Sequence, residues 1–274
     1  MKKEVIAVDL GGTHLRVAIV RNNKAVKYLR YKTPKKKEEI TDMLFSSISS
    51  LIKECERLRG IGVASPGPIE KGVIKNTPNL PLKNFNLKKA LEKRFKTKVI
   101  VENDATCVAL AEAKLGCKKN NFFVLTLGTG IGGGIVINGE IYKGRGNAGE
   151  LGHIILDKGK DFESLAAWKK TKKLTEKKFG KPLLISELAK MNNQDSKKIL
   201  KEISMYLGQG IASLISVFDP EIVILAGGVS ESGKSFLKMI KREAKKYAFL
   251  QRSAEIQWTK LKHPGILGAS LLIE

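Results

Sequence analysis

Apolar residues alternate or run together over residues 4–10, 15–21 and 25–31, with G-G-T and N-N-K between the runs. Strand-length runs punctuated by turn formers predict a three-stranded antiparallel meander. Over 38–58 the period changes: Ile40, Leu44, Ile48, Leu51, Ile52 and Cys55 recur at helical spacing, and R-G-I-G-V-A-S after them reads as a short strand. A loop rich in Pro, Gly and Asn covers 65–86. It leads into a helix over 87–95, a strand at 98–102 and an alanine-rich helix over 104–115.

The plan restarts at residue 122. FFVLTLG and GGGIVING read as paired strands, and EIYKG follows an N-G hairpin turn. A long helix over about 195–217, a strand at 221–226, a G-G turn and a further helix complete the repeat. A meander followed by crossovers in each half implies an α/β fold of two domains around a cleft. With a last helix over 264–272 returning to the first domain, the expected division is 1–112 plus 262–274, and 113–261.

Composition adds limits. The chain has 274 residues, 42% of them hydrophobic, which is enough to bury a sizeable core. Its longest apolar stretches are strand-sized, so no membrane span is expected, and M-K-K-E-V-I-A-V-D-L lacks the pattern of a signal peptide. Three cysteines (Cys55, Cys107 and Cys117) lack any pairing or metal-ligand spacing, which points to a reducing compartment, most simply the cytoplasm. The formal charge is +23, from 50 Lys+Arg against 27 Asp+Glu. Two readings fit it: a binder of nucleic acid or another polyanion, or a lysine-rich surface on an enzyme with anionic substrates. The lysines are spread over helical faces and loops with no interleaved aromatics, which favours the second.

Five short stretches carry chemistry. D-L-G-G-T puts Asp9 at a strand end beside Gly11, Gly12 and Thr13, a turn suited to phosphate and equally to an ordinary hairpin. L-G-T-G-I-G-G-G holds Gly128, Thr129, Gly130 and Gly132 at the equivalent place in the second half. It leads into a strand, so it is neither a dinucleotide fingerprint nor a P-loop. V-E-N-D-A ends a strand at Asn103 and starts a helix at Asp104, a residue fitted either to capping or to proton abstraction. G-N-A-G-E-L-G-H with D-F-E-S supplies Glu150, His153 and Glu163, donors and acceptors for a polyol. D-P-E-I-V-I-L-A-G-G-V opens a buried strand into Gly227 and Gly228, a flat surface on which adenosine would fit.

In this order the motifs resemble the ROK family of sugar kinases, within the actin-like, ribonuclease H-like fold of the hexokinase-type ATPases. S-P-G-P-I, N-T-P-N-L-P and the closing P-G-I-L-G-A-S extend the similarity from end to end. The resemblance implies ATP and Mg²⁺, with Asp9 reaching the metal through water and both glycine turns holding phosphates. It makes Asp104 the general base on a sugar hydroxyl, usually at C6. It assigns the other hydroxyls to Asn79, Asn103, Glu150, His153 and Glu163, with Gly67 at the cleft edge. The family is often dimeric, so a homodimer acting on a small-molecule sugar and a nucleotide is expected, with no membrane partner and with nucleic acid disfavoured.

One departure stands out. Most of the family carries a C-x-C-G-x-x-G-C zinc cluster after the G-H. Here the segment reads I-L-D-K-G-K-D-F-E-S without a cysteine, so no structural zinc is expected. Asp157 and Asp161 are the candidates to orient His153 instead. Glucose is the first expectation for the acceptor. N-acetylmannosamine, N-acetylglucosamine or fructose would use the same contacts, and polyphosphate is an alternative donor. A reading of another class is a ROK-type DNA-binding regulator. The strand that begins at residue 4 leaves no room ahead of it for a helix-turn-helix, and Asp104 with both loops argues for an enzyme.

Overall fold

The computed structural model describes residues 4–77, 80–249 and 254–273. Two compact units are present: Met1–Lys118 with Lys143–Ala148 and Leu261–Glu274, and Lys119–Tyr142 with Gly149–Lys260. The division falls six residues later than the sequence suggests, at 118/119 against 112/113, and the short piece 143–148 belongs to the first unit.

The first unit holds β1 (Glu4–Leu10), β2 (His14–Arg21), β3 (Lys24–Lys32), β4 (Leu58–Ser65) and β5 (Val99–Asn103) in the sheet order β3-β2-β1-β4-β5. The first three strands pair antiparallel and the last two join parallel. Helices α1 (Lys37–Ile52) and α2 (Leu87–Phe95) close one side of the core, whose residues include Ile6, Val8, Val17, Leu44 and Ile61. Helices α3 (Asp104–Leu115) and α8 (Pro264–Leu271) supply Cys107, Ala111, Ile266 and Ala269 to a second cluster with Ala7, Ala18 and Ala64.

The second unit repeats the topology with β6 (Phe122–Leu127), β7 (Ile131–Ile137), β8 (Glu140–Tyr142), β9 (Ile222–Ala226) and β10 (Glu255–Trp258), in the order β8-β7-β6-β9-β10. Its main helices are α4 (Phe162–Ala166), α5 (Trp168–Phe179), α6 (Gln194–Phe218) and α7 (Gly233–Tyr247). Helices α5 and α6 are separate elements. Gly180 at φ +70° ends α5, and the Asn193 side chain, accepting from the Ser196 N–H at 2.8 Å, starts α6.

Two sequence expectations are corrected. Helix α1 stops at Ile52 although apolar spacing runs on to Cys55. The N–H groups of Glu54 and Cys55 bond three residues back, and that of Glu56 is taken by the fully buried Glu4 carboxylate at 2.7 Å. Glu4 also accepts from Arg21 Nε at 3.0 Å, so strand pairing claims the chain before the helix can continue. The helix cap at α3 is Asn103, not Asp104: Asn103 Oδ1 accepts from the Thr106 N–H at 3.1 Å, while Asp104 is the first helical residue.

Backbone lies against backbone around α8. A Cβ at Gly268 would stand 1.8 Å from the carbonyl oxygen of Cys107 in α3, and one at Gly62 in β4 would stand 1.8 Å from that of Ala269. Alanine favours a helix interior by about 1 kcal/mol over glycine, but overpacking against an immovable neighbour costs up to about 3 kcal/mol. The clash wins. We expect Gly268→Ala to lose about 2 kcal/mol in urea unfolding. Gly128→Ala, where a Cβ meets nothing within 4 Å, is expected to lose less than about 1 kcal/mol. Equal midpoints for the two variants would contradict this account.

Candidate active site

In the first unit Asp9, next to last in β1, lies opposite Arg16 of β2, and Arg16 Nη1 donates to Asp9 Oδ2 at 2.8 Å. The turn that follows is braced by Thr33, whose N–H donates to the Thr13 carbonyl at 2.9 Å and whose Oγ1 donates to the Gly11 carbonyl at 2.7 Å. The Gly11 N–H bonds the His14 carbonyl at 3.0 Å, so Gly11 shapes the turn rather than offering a free donor. Gly12 and Thr13 form its outer bend, and Thr13 is exposed. Burial pushes the Asp9 carboxyl above the ordinary carboxylate range, against the opposite pull of Arg16 and His263. Gly265, near the start of α8, lies so close that a Cβ there would stand 3.1 Å from the Asp9 carboxyl carbon. A carboxylate oxygen is the hard donor type that a magnesium ion takes, directly or through its waters.

Asp104 and Asn103 sit where β5 meets α3. Asp104 Oδ1 accepts from the Ala105 N–H at 2.8 Å. Asn103 Nδ2 donates to the Gly67 carbonyl at 3.3 Å, joining two of the expected sugar-side residues. Gly67 has φ +83°, and a Cβ there would collide with the Asn76 carbonyl at 2.0 Å, so no other residue fits without moving this loop. Asn79 lies outside the described residues.

In the second unit the loop between β6 and β7 closes on itself: the Gly128 N–H donates to the Gly130 carbonyl at 3.0 Å, and the Gly128 carbonyl accepts from the Trp168 N–H at 3.2 Å. Thr129 is at the exposed tip. Gly132 is not in the loop; it belongs to β7, opposite Thr126. Gly227, at φ +94°, approaches so closely that a Cβ would stand 2.3 Å from the Leu127 carbonyl, which puts the A-G-G turn against the end of β6. Gly228 begins a short 3₁₀ turn, Gly228–Ser232, that intervenes before α7.

Glu150, His153 and Glu163 gather beside the same loop. The segment carrying Glu150 lies directly on β7, since a Cβ at Gly133 would stand 2.5 Å from the Gly149 carbonyl. Glu163 is seated by its neighbour Phe162, fully buried in the notch at Gly210 of α6. Its Oε2 accepts from the Ile131 N–H at 2.7 Å, so this carboxylate braces the glycine loop as well as facing the cluster. His153 Nδ1 is 3.1 Å from Asp161 Oδ2, and Nε2 is 3.9 Å from Glu150 Oε2. Asp161 is therefore the orienting partner, and Asp157 is not. Asp161 also caps α4, accepting from the Ser164 N–H at 2.8 Å.

Sequence reasoning missed Arg16 and Thr33. The alternation of β2 marks Arg16 as facing away from the core, but only the strand register sets it opposite Asp9. Thr33 gave no signal, because its role is made by the return of β3.

The hydrogen bond that His153 Nδ1 donates to Asp161 raises the His153 pKa above 6.5, with Glu163 and Glu150 adding to it. A raised histidine pKa stabilises the fold below 6.5 and loses that contribution as pH climbs through the folded value. Asp161→Asn keeps the helix cap and removes the charge. In an NMR titration of the ring its His153 midpoint is expected to fall toward 6.5, and its stability deficit to shrink as pH rises above that value. An unchanged midpoint would remove Asp161 from this role.

A family model described as the ROK family matches residues 5–274. The glucokinase of Halalkalibacterium halodurans is 32% identical over 312 residues, covering 98% of this chain and 94% of that protein. A xylose repressor of Bacillus spizizenii is 30% identical over 256 residues, covering 86% of this chain and 66% of that protein. A ROK family glucokinase from Streptomyces griseus, solved in complex with glucose and AMPPNP, matches with a TM-score of 0.88 and 26% identity over 98% of each chain. The fold is the actin-like α/β fold of these sugar kinases, and this chain belongs to the ROK family.

Proposed function

We propose that this protein is an ATP-dependent hexose kinase, and that glucose, phosphorylated at its 6-hydroxyl, is its first substrate. The observation that carries the reading is the β5–α3 junction, where Asp104 opens a helix beside an Asn103 already bonded to Gly67. The printed names of the glucokinase relatives support the substrate class.

The reaction divides among the chain's residues as follows. Asn103, Gly67, Asn79, Glu150, His153 and Glu163 bind and orient the sugar hydroxyls. Asp104 accepts the proton of the attacking hydroxyl as its oxygen bonds to the terminal phosphorus in line, while the bond from that phosphorus to the bridging oxygen breaks. The turns at Gly11, Gly12 and Thr13 and at Gly128, Thr129 and Gly130 hold phosphate oxygens, Gly132 supports the second turn from β7, and Gly227 with Gly228 forms the nucleoside platform. Asp9 would hold Mg²⁺ through water, and the ion supplies charge neutralisation between the phosphates.

Glucose, mannose, fructose, N-acetylmannosamine and N-acetylglucosamine, each with Mg-ATP or with polyphosphate, make the test panel. One sugar is expected to be turned over. Asp104→Asn is expected to lose roughly 10²–10⁴ in kcat with the sugar KM little changed. No turnover of any sugar with either donor would overturn the reading. Salt-sensitive retention on DNA would then favour the regulator, the alternative to which the charge of +23 lends support.

A further inference from the structure

Lys143 has no part in the contacts just assigned, yet its ammonium forms an ion pair with Glu102, the residue before Asn103. Glu102 is only 16% exposed in its side chain, against 51% for Lys143. Its other oxygen accepts from the Asn103 N–H at 2.8 Å. Glu102 is thus held on one side by Lys143 and holds, on the other, the residue that caps α3 and precedes Asp104. The chain leaves the second unit after Tyr142, joins the first for Lys143–Ala148 and returns at Gly149. Within that piece the N–H groups of Gly146 and Ala148 both donate to the Lys143 carbonyl, at 2.7 and 3.0 Å. Lys143 is the hub of the turn, and its side chain makes the segment's ion pair among the described residues. Two residues beyond the segment comes Glu150.

We propose that Lys143 is a positioning residue for phosphoryl transfer: by clamping Glu102 it holds the β5–α3 junction, with Asn103 and Asp104, in place. The proposal rests on the reading of Asp104 as the base. Removing the ammonium leaves the Glu102 carboxylate without its counter-charge two positions from the Asp104 carboxylate, and like charges push apart. A displacement of about 1 Å at a reacting group costs up to about 10²-fold in rate.

The test compares Lys143→Met, Lys143→Arg, Asp104→Asn and the double variant Lys143→Met/Glu102→Gln in the sugar kinase assay, with a thermal melt of each. Lys143→Met is expected to lower kcat about 10- to 100-fold with a much smaller rise in sugar KM and a near-normal melt. Arginine is expected to restore most of the rate. The double variant is expected to recover part of it, because the introduced side-chain amide still accepts from the Asn103 N–H but carries no charge. Full kcat in Lys143→Met, with Asp104→Asn inactive, would overturn this inference alone. So would a KM rise and a melting loss that account for the whole defect. Activity retained in Asp104→Asn, or absent from the wild type, would overturn the reading of the base and this inference with it.

Discussion

Backbone-to-backbone packing of the last helix is the constraint on which the candidate residues of the first unit depend. α8 meets α3 at Gly268, β4 at Ala269 and Asp9 at Gly265, each at a separation that leaves little or no room for a β-carbon on the glycine involved. Those three elements carry Asp104, the approach to Gly67 and Asp9. A helix with ordinary side chains at these positions would stand off by the thickness of a methyl group, and the three would no longer share a fixed frame. Hence 264–271 reads as small residues and aliphatics.

The second unit uses the same device for a different purpose. Gly133 and Gly149 let the Glu150 segment lie flat on β7, and Gly227 lets the A-G-G turn abut the end of β6. Polar clamps then set the side chains. Glu163 ties itself to the Ile131 N–H, and Asp161 serves His153 and the first turn of α4 together. Where most of the family places thiolates after the G-H, this chain has a carboxylate that caps a helix and orients an imidazole. One oxygen does each task, so the segment can be short.

Each unit holds one candidate residue whose protonation is shifted upward. The Asp9 carboxyl is raised by burial despite Arg16, and His153 is raised by its carboxylate neighbours, Asp161 first. His263, beside Asp9, and His14, whose ring meets Arg30, are both lowered, first by burial and then by neighbouring lysine and arginine charge. The lysines on α5 and elsewhere are offset in part by local pairs such as Lys170–Glu202 at 2.6 Å and Lys178–Asp195 at 3.2 Å, which belong to the surface rather than to the site.

Much of this protein was legible from local pattern. Alternation and glycine-rich turns determined both meanders, the helix over 104–115 and the placement of Asp9, Asp104 and the two loops, because those signals act over a few residues. Gly132 showed the limit of the same logic: a run of glycines looks like one loop, and only strand pairing with Thr126 assigns its end to β7. The tertiary structure decided the partners. Arg16 faces Asp9 through strand register, Asp161 rather than Asp157 meets His153 because a two-strand turn folds back, and Lys143 reaches Glu102 across 41 residues of chain. Such pairs depend on which faces packing brings together, and packing is set by the whole core rather than by neighbours in sequence.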